Sequence, residues 1–361
     1  MKTLKLYYLF ALLGLVFVSC ESDDDEEPMM ETIVPVAGTL SGGPFEFTVD
    51  GTPDMVSGIN LDGSQAAGTN RTFVITDDTG GILGLPPDMA ALEGVDFDGA
   101  GVGLCLIWYL RYEDGLTGLE MGGNANTLQG SFDLSNSIEV LRLPSGGEIS
   151  GGPFEFSVDG MDDFVSGIML DATTLSGSEQ SFVVTDDERN ILGLPPTIEA
   201  LEGVNFDGAG TGVCFIYHIS YESDLMGLEG GNNLDDLQGF FGLSNRIEVT
   251  RLPNAGTISG GPFTFMVDGT PDMVSGISLD ATTLSGSQQT YVITDENRNI
   301  LGLPPTIEAL EGVDFDGAGT GVCFIYHMSY EMGVTGLEAG TNLDDLEGLF
   351  GLSNRITVTR N

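Results

Sequence analysis

Short runs of alternating apolar and polar residues make up most of this chain, and each run returns 109 residues later. Alternation at a period of two marks strands with one face in a core. PFEFTVDG, from Pro44 to Gly51, alternates this way and ends in an Asp-Gly turn signal. MVSGINL, from Met55 to Leu61, predicts a second strand, and the segment from Arg71 to Leu85 predicts a hairpin around Asp78-Thr79-Gly80. The longest run, GLCLIWYLRYE from Gly103, predicts the central strand, and SIEVLRL from Ser137 closes the unit. Two helical turns interrupt the strands. One is Thr197–Leu201, which follows two prolines; the other is Asn233–Leu237, where Asn233 caps and the aspartates suit the helix dipole.

The repetition is nearly gapless. SGGPF begins at Ser41, Ser150 and Ser259, and FDGAG at Phe97, Phe206 and Phe315. A unit of this length matches the commonest domain size and exceeds the roughly 20–50 residues of a solenoid repeat. Each copy should therefore own a core. Short strands separated by Gly, Asp and Asn turns predict an all-β protein of three tandem immunoglobulin-like β-sandwich domains. The expected boundaries are 37–144, 145–253 and 254–361, set by the Arg-Leu-Pro segments that end at Pro144 and Pro253.

Charge narrows the partners. The chain carries 55 acidic and 11 basic residues, a formal charge of −44. Lys2 and Lys5 are its only lysines, and every basic residue after Cys20 is an arginine. Such a field disfavours nucleic acid and anionic membrane surfaces as partners. It keeps a surface solvated and attracts cations.

The first 19 residues read as a signal peptide, with a positive start and an apolar run too short to span a bilayer. Phe17-Val18-Ser19-Cys20 resembles the lipobox of bacterial lipoproteins, in which the cysteine is lipidated. Glu21-Ser22-Asp23-Asp24-Asp25-Glu26-Glu27 resembles the export signal of Bacteroidetes-type surface lipoproteins. Residues 20–36 then form an acidic disordered tether. The resemblance implies lipid anchoring to the outer membrane through Cys20 and exposure on the cell surface. The repeat itself, in VITDDTGGILGLP, FDGAG, CLIWYLRYEDG and FDLSN, resembles a poorly characterised unit of secreted and surface proteins from the same bacteria. That likeness implies an extracellular β-rich module.

Candidate chemistry is sparse. On the central strand, Leu104, Leu106, Trp108, Leu110 and Tyr112 share one face, which stays apolar or aromatic in all copies and is the expected core. The other face holds Cys105, Ile107, Tyr109 and Arg111. It varies between copies, with His218 and His327 where the first has Tyr109, so these three are the expected ligand face, for a glycan or a protein. Ser220 and Ser329 lie two residues on, too far for a nucleophile–base pair. One cysteine per domain forbids a disulfide within a domain, and Cys105, Cys214 and Cys323 read as buried thiols. Asp96 and Asp98, Asn205 and Asp207, and Asp314 and Asp316 place oxygens at alternate positions before a glycine, a fragment of a calcium loop. The competing reading is a metal-free Asp-Gly turn. The expected function is non-enzymatic: an acidic multidomain stalk or adhesin projecting on the order of 100 Å. The alternative is a carbohydrate- or substrate-capture module of a surface uptake system.

Overall fold

The computed structural model describes residues 34–361. The signal peptide, Cys20 and most of the acidic tether lie outside the described residues.

The first repeat contains β1 (Thr39–Ser41), β2 (Phe45–Val49), β3 (Asn60–Asp62), β4 (Asn70–Asp77), β5 (Ile82–Gly84), α1 (Met89–Glu93), β6 (Gly103–Tyr112), β7 (Phe132–Leu134) and β8 (Ile138–Pro144). The second repeats this as β9 (Glu148–Ser150), β10 (Phe154–Val158), β11 (Met169–Asp171), β12 (Glu179–Asp186), β13 (Ile191–Gly193), α2 (Ile198–Leu201), β14 (Gly212–Tyr221), β15 (Phe241–Leu243) and β16 (Ile247–Pro253). The third has β17 (Thr257–Ser259), β18 (Phe263–Phe265), β19 (Ser278–Asp280), β20 (Gln288–Asp295), β21 (Ile300–Gly302), α3 (Ile307–Glu311), β22 (Gly321–Tyr330), β23 (Phe350–Leu352) and β24 (Ile356–Arg360).

Each unit is an immunoglobulin-like β-sandwich with unequal layers. Its six-stranded sheet runs β2-β8-β6-β4-β5, with β7 also on β6, and a two-stranded sheet pairs β1 with β3. The first and last strands of the large sheet, β2 and β8, are parallel; its other pairings are antiparallel. The short helices begin where the sequence places caps: Asp88, Thr197 and Thr306 each accept a hydrogen bond from the backbone N–H three residues on. The second predicted turn is a 3-10 turn, Leu234–Asp236, capped by Asn233.

The large sheet is covered on both faces. Cys105, Ile107 and Tyr109 meet Phe73, Ile75, Ile138 and Val140 across the sheet and pack beneath Leu40, Val56, Ile59, Leu92 and Phe97. Full burial of an aromatic such as Phe97, 1% exposed, contributes about 1.5–3 kcal/mol. Val74, Ile82 and Leu110 form the opposite core with Ala125 and Leu128, and Trp108 and Tyr112 pack against it half-buried. The expectation of one core face is therefore corrected. β6 is central in its sheet, and the loop after it folds back over the second face. Variation between copies on the Cys105 face is variation inside the protein.

Candidate functional site

Tyr109, His218 and His327 are 5%, 2% and 2% exposed, so as a ligand face they are corrected to interior positions. Each ring packs on an aromatic of the neighbouring strand with centroids 5.0 Å apart: Tyr109 on Phe73, His218 on Phe182, His327 on Tyr291. The backbone N–H of each is bonded by the hydroxyl of Ser135, Ser244 or Ser353 at 2.9 Å. The histidines add a second job. His218 Nδ1 donates to the Gly146 carbonyl at 2.8 Å, and His327 Nδ1 to the Ala255 carbonyl at 2.7 Å. These carbonyls belong to the segments that follow Pro144 and Pro253, so each histidine holds down the start of its own repeat. Burial pushes both imidazole pKa values down, and the bond to the carbonyl partly offsets this. Ser220 and Ser329 donate instead to the Ser176 and Ser285 carbonyls. Among the described residues no histidine ring pairs with a serine hydroxyl.

The aspartates of the FDGAG turns also serve the backbone. Asp98 Oδ1 accepts from Asp50 N at 2.8 Å and Gly51 N at 3.1 Å; Asp96 Oδ1 accepts from Asp54 N and Asp98 N at 3.1 and 3.0 Å. Asp207 and Asp316 repeat the first pattern, and Asn205 and Asp314 the second. A neutral amide oxygen in Asn205 does the work of a carboxylate, as a hydrogen-bond acceptor can and a strong cation ligand does less well. The turns tie the end of β2 to the loop before β6. Like charge accumulates there: burial, then Asp50, Asp98 and Asp96, raise the pKa of Asp54. Among the described residues no group of three or more acidic, histidine or cysteine side chains has the geometry to hold a metal ion. Asp77, Asp186 and Asp295 close the hairpin turns, as in the 2.7 Å bond from Gly81 N to Asp77.

Cys105, Cys214 and Cys323 are free and buried, and burial raises each thiol pKa. They are therefore poor nucleophiles. One group went unread in the sequence. Arg142, Arg251 and Arg360 are 3%, 4% and 6% exposed on the core face, and in each the Nε atom has no partner. Arg142 and Arg251 donate to the Gly101 and Gly210 carbonyls beyond the FDGAG turn. The Arg-Leu-Pro segments marked boundaries in the sequence. The signal for a core role was the alternation itself: Ile138, Val140 and Arg142 lie on one face.

The junctions between repeats are the remaining built feature. β8 packs on β15, and β16 on β23. A Cβ on Gly242 would overlap the Pro144 carbonyl oxygen, and one on Gly351 the Pro253 carbonyl oxygen. The first repeat has Asp133 there, and its carboxylate accepts from Ala37 N at 2.8 Å. Across the second junction Thr211 Oγ1 donates to Glu331 at 2.6 Å, Ser285 Oγ to the Val158 carbonyl at 2.7 Å, and Asn254 Nδ2 to Ser157 Oγ at 3.3 Å.

No protein-family model matches the chain, and no curated protein matches it. Solved structures that it resembles include Drosophila N-cadherin EC1-3, at 10% identity and a TM-score of 0.20, over 88% of this chain and 97% of that one. Drosophila OTK extracellular domains 3-5 align at 11% identity and 0.23, over 92% and 98%. Sidekick-1 immunoglobulin domains 1-5 align at 9% and 0.20, over 91% and 59%. The fold assignment rests on the sheets described above. Among the described residues no helix is long and apolar enough to cross a membrane.

Proposed function

We infer that this chain is a non-enzymatic cell-surface lipoprotein, anchored through Cys20, whose three domains form an acidic stalk or adhesin. The observation that carries the reading is the docking of consecutive repeats, with backbone in contact at Gly242 and Gly351 and hydrogen bonds across the second junction. Docked tandem domains hold a distal surface away from the anchor, and repetition supplies valency without new contacts. The absence of any converging nucleophile–base pair among the described residues, with the histidines and serines tied to separate carbonyls, supports a non-catalytic role.

Protease shaving of intact cells, with and without Cys20→Ser, tests the anchor. Release of fragments from the wild type, and movement of the variant to the soluble fraction, are expected. A wild-type chain left intact by protease outside the cell overturns the surface placement. Small-angle scattering tests the stalk: a maximum dimension near that of three domains in line is expected, and a collapsed particle overturns it. The glycan-capture alternative placed its contacts on the Tyr109, His218 and His327 face, which is interior, and is not carried further on that face.

A further inference from the structure

The strings that the three copies keep most strictly, ILGLPP and FDGAG, come together in space around one cavity per repeat. In the first repeat Leu83, Gly84, Val95, Phe97 and Gly99 line a cavity of about 560 Å³, with Cys105 behind its wall. Its counterparts, with the same residue types at the matching positions, measure about 390 Å³ in the second repeat and 440 Å³ in the third. These volumes fall within the about 300–1,000 Å³ of small-molecule sites. The far wall is buried: Phe97 is 1% exposed and Cys105 0%. At the rim an aliphatic side chain stands out into solvent in every copy, Leu83 at 40%, Leu192 at 50% and Leu301 at 46%.

Two glycines in each cavity have no backbone reason to be glycine. Neither Gly84 nor Gly99, nor any of their counterparts, has the positive φ that excludes other residues. A Cβ on Gly193 or Gly208 would meet nothing within 4 Å, and one on Gly84 would make only an ordinary 3.5 Å contact with Ile75. Side chains would fit there and would fill the space. The glycines keep that space open in all three copies.

The walls are apolar and the rim is acidic or neutral, with Asp96, Asn205 and Asp314 at equivalent places. The Oδ1 atoms of Asp96 and Asp314 accept the backbone hydrogen bonds, which leaves Oδ2 free. With a chain charge of −44, an anionic guest is repelled. We propose that each repeat binds one small amphipathic molecule in this cavity, its apolar part against Leu83 and Val95, or their counterparts Leu192 and Val204, Leu301 and Val313, and an uncharged or cationic head at the rim. This goes beyond the stalk reading and does not rest on it.

Saturation-transfer NMR on the full chain with hexylamine, hexan-1-ol and hexanoate as probes tests the proposal. Transfer to hexylamine and hexanol is expected, and little to hexanoate. The triple variant Gly84→Leu, Gly193→Leu, Gly302→Leu should lose the signal, and each single variant should lose the share of one repeat. No transfer to hexylamine, or equal transfer to hexanoate, overturns the proposal, as does an undiminished signal from the folded triple variant. A measurement on the wild type keeps the test independent of that variant. Methyl methanethiosulfonate labelling of Cys105, Cys214 and Cys323, read by mass spectrometry, should slow several-fold with hexylamine while labelling of glutathione added to the same sample does not. Equal rates at the three core cysteines with and without hexylamine overturn the proposal.

Discussion

The two junctions share a backbone arrangement and differ in a few side chains. At the second, Thr211, Asn254 and Ser285 reach across to the neighbouring repeat. At the first, Val102 and Ser145 stand at the places of Thr211 and Asn254, and among the described residues no side-chain hydrogen bond crosses. Valine has no donor for Glu222. Ser145 accepts from Gly147 N, as Asn254 accepts from Gly256 N, but has no amide left to extend outward. One docking scheme is thus tuned by short polar side chains, each hydrogen bond adding about 0.5–1.5 kcal/mol. The second joint is therefore expected to be the stiffer one.

The sharpest way to break this contrast is Gly351→Ala. The added Cβ collides with a carbonyl oxygen, and the overlap is relieved only by backbone movement, which costs about 1–3 kcal/mol. Loss of docking at the second junction is expected, read as new proteolysis near residues 253–256 and a changed scattering profile. Each repeat should keep its own hydrogen-exchange protection.

Acidification comes next, acting where the second and third repeats begin. The folded pKa values of His218 and His327 lie below the ordinary 6.5. Between those lowered values and about 6.5 the unfolded chain binds more protons than the folded one, so stability falls as pH falls through this window. Hydrogen exchange at pH 7 and pH 5 should show repeats two and three losing protection relative to the first, which has Tyr109. His218→Tyr should remove the effect from the second repeat.

Thr211→Val rebuilds one element of the first junction in the second. A loss of about 1 kcal/mol in the coupling of repeats two and three is expected, measured by melting the tandem pair within the full chain. Arg189→Gly should do less. Arg189 has φ 69°, in the left-handed region, where the first repeat has Gly80. It is held by Asp235 at 2.9 Å, close as a charge contact but not aligned as a hydrogen bond. Relief of backbone strain and loss of an exposed ion pair nearly cancel, so a change within about 0.5 kcal/mol is expected in urea unfolding. Chelation should change nothing: with EDTA or added calcium, the melting temperature should hold in every repeat. A rise confined to repeats one and three, which have Asp where the second has Asn205, would return calcium to the FDGAG turns.

Strands, hairpins and capped helical turns were legible because alternation and turn residues are local signals. The sidedness of β6 was not. A strand buried on both faces has no polar face to betray its orientation, and the change from Tyr109 to His218 looked like surface drift. What that position answers to is a carbonyl 72 residues away in the chain, at Gly146. Arg142 was hidden by its neighbour Pro144, which drew attention to the boundary. The cavity was hidden because Leu83 and Gly84 meet Val95 and Gly99 only in the folded repeat.

The parallel pairing of β2 with β8 has a mechanical consequence. Tension on the chain pulls the two strands along their length in opposite directions. Their rungs are then loaded together in shear rather than unzipped one after another. Five residue pairs share that load in the first repeat and five in the second, and in the third the pairing of Phe263–Phe265 with Val358–Arg360 is continued by the backbone bonds of Asn361 with Phe265 and Val267. A chain drawn taut between its two ends should therefore extend in abrupt steps, one repeat at a time, rather than by gradual peeling.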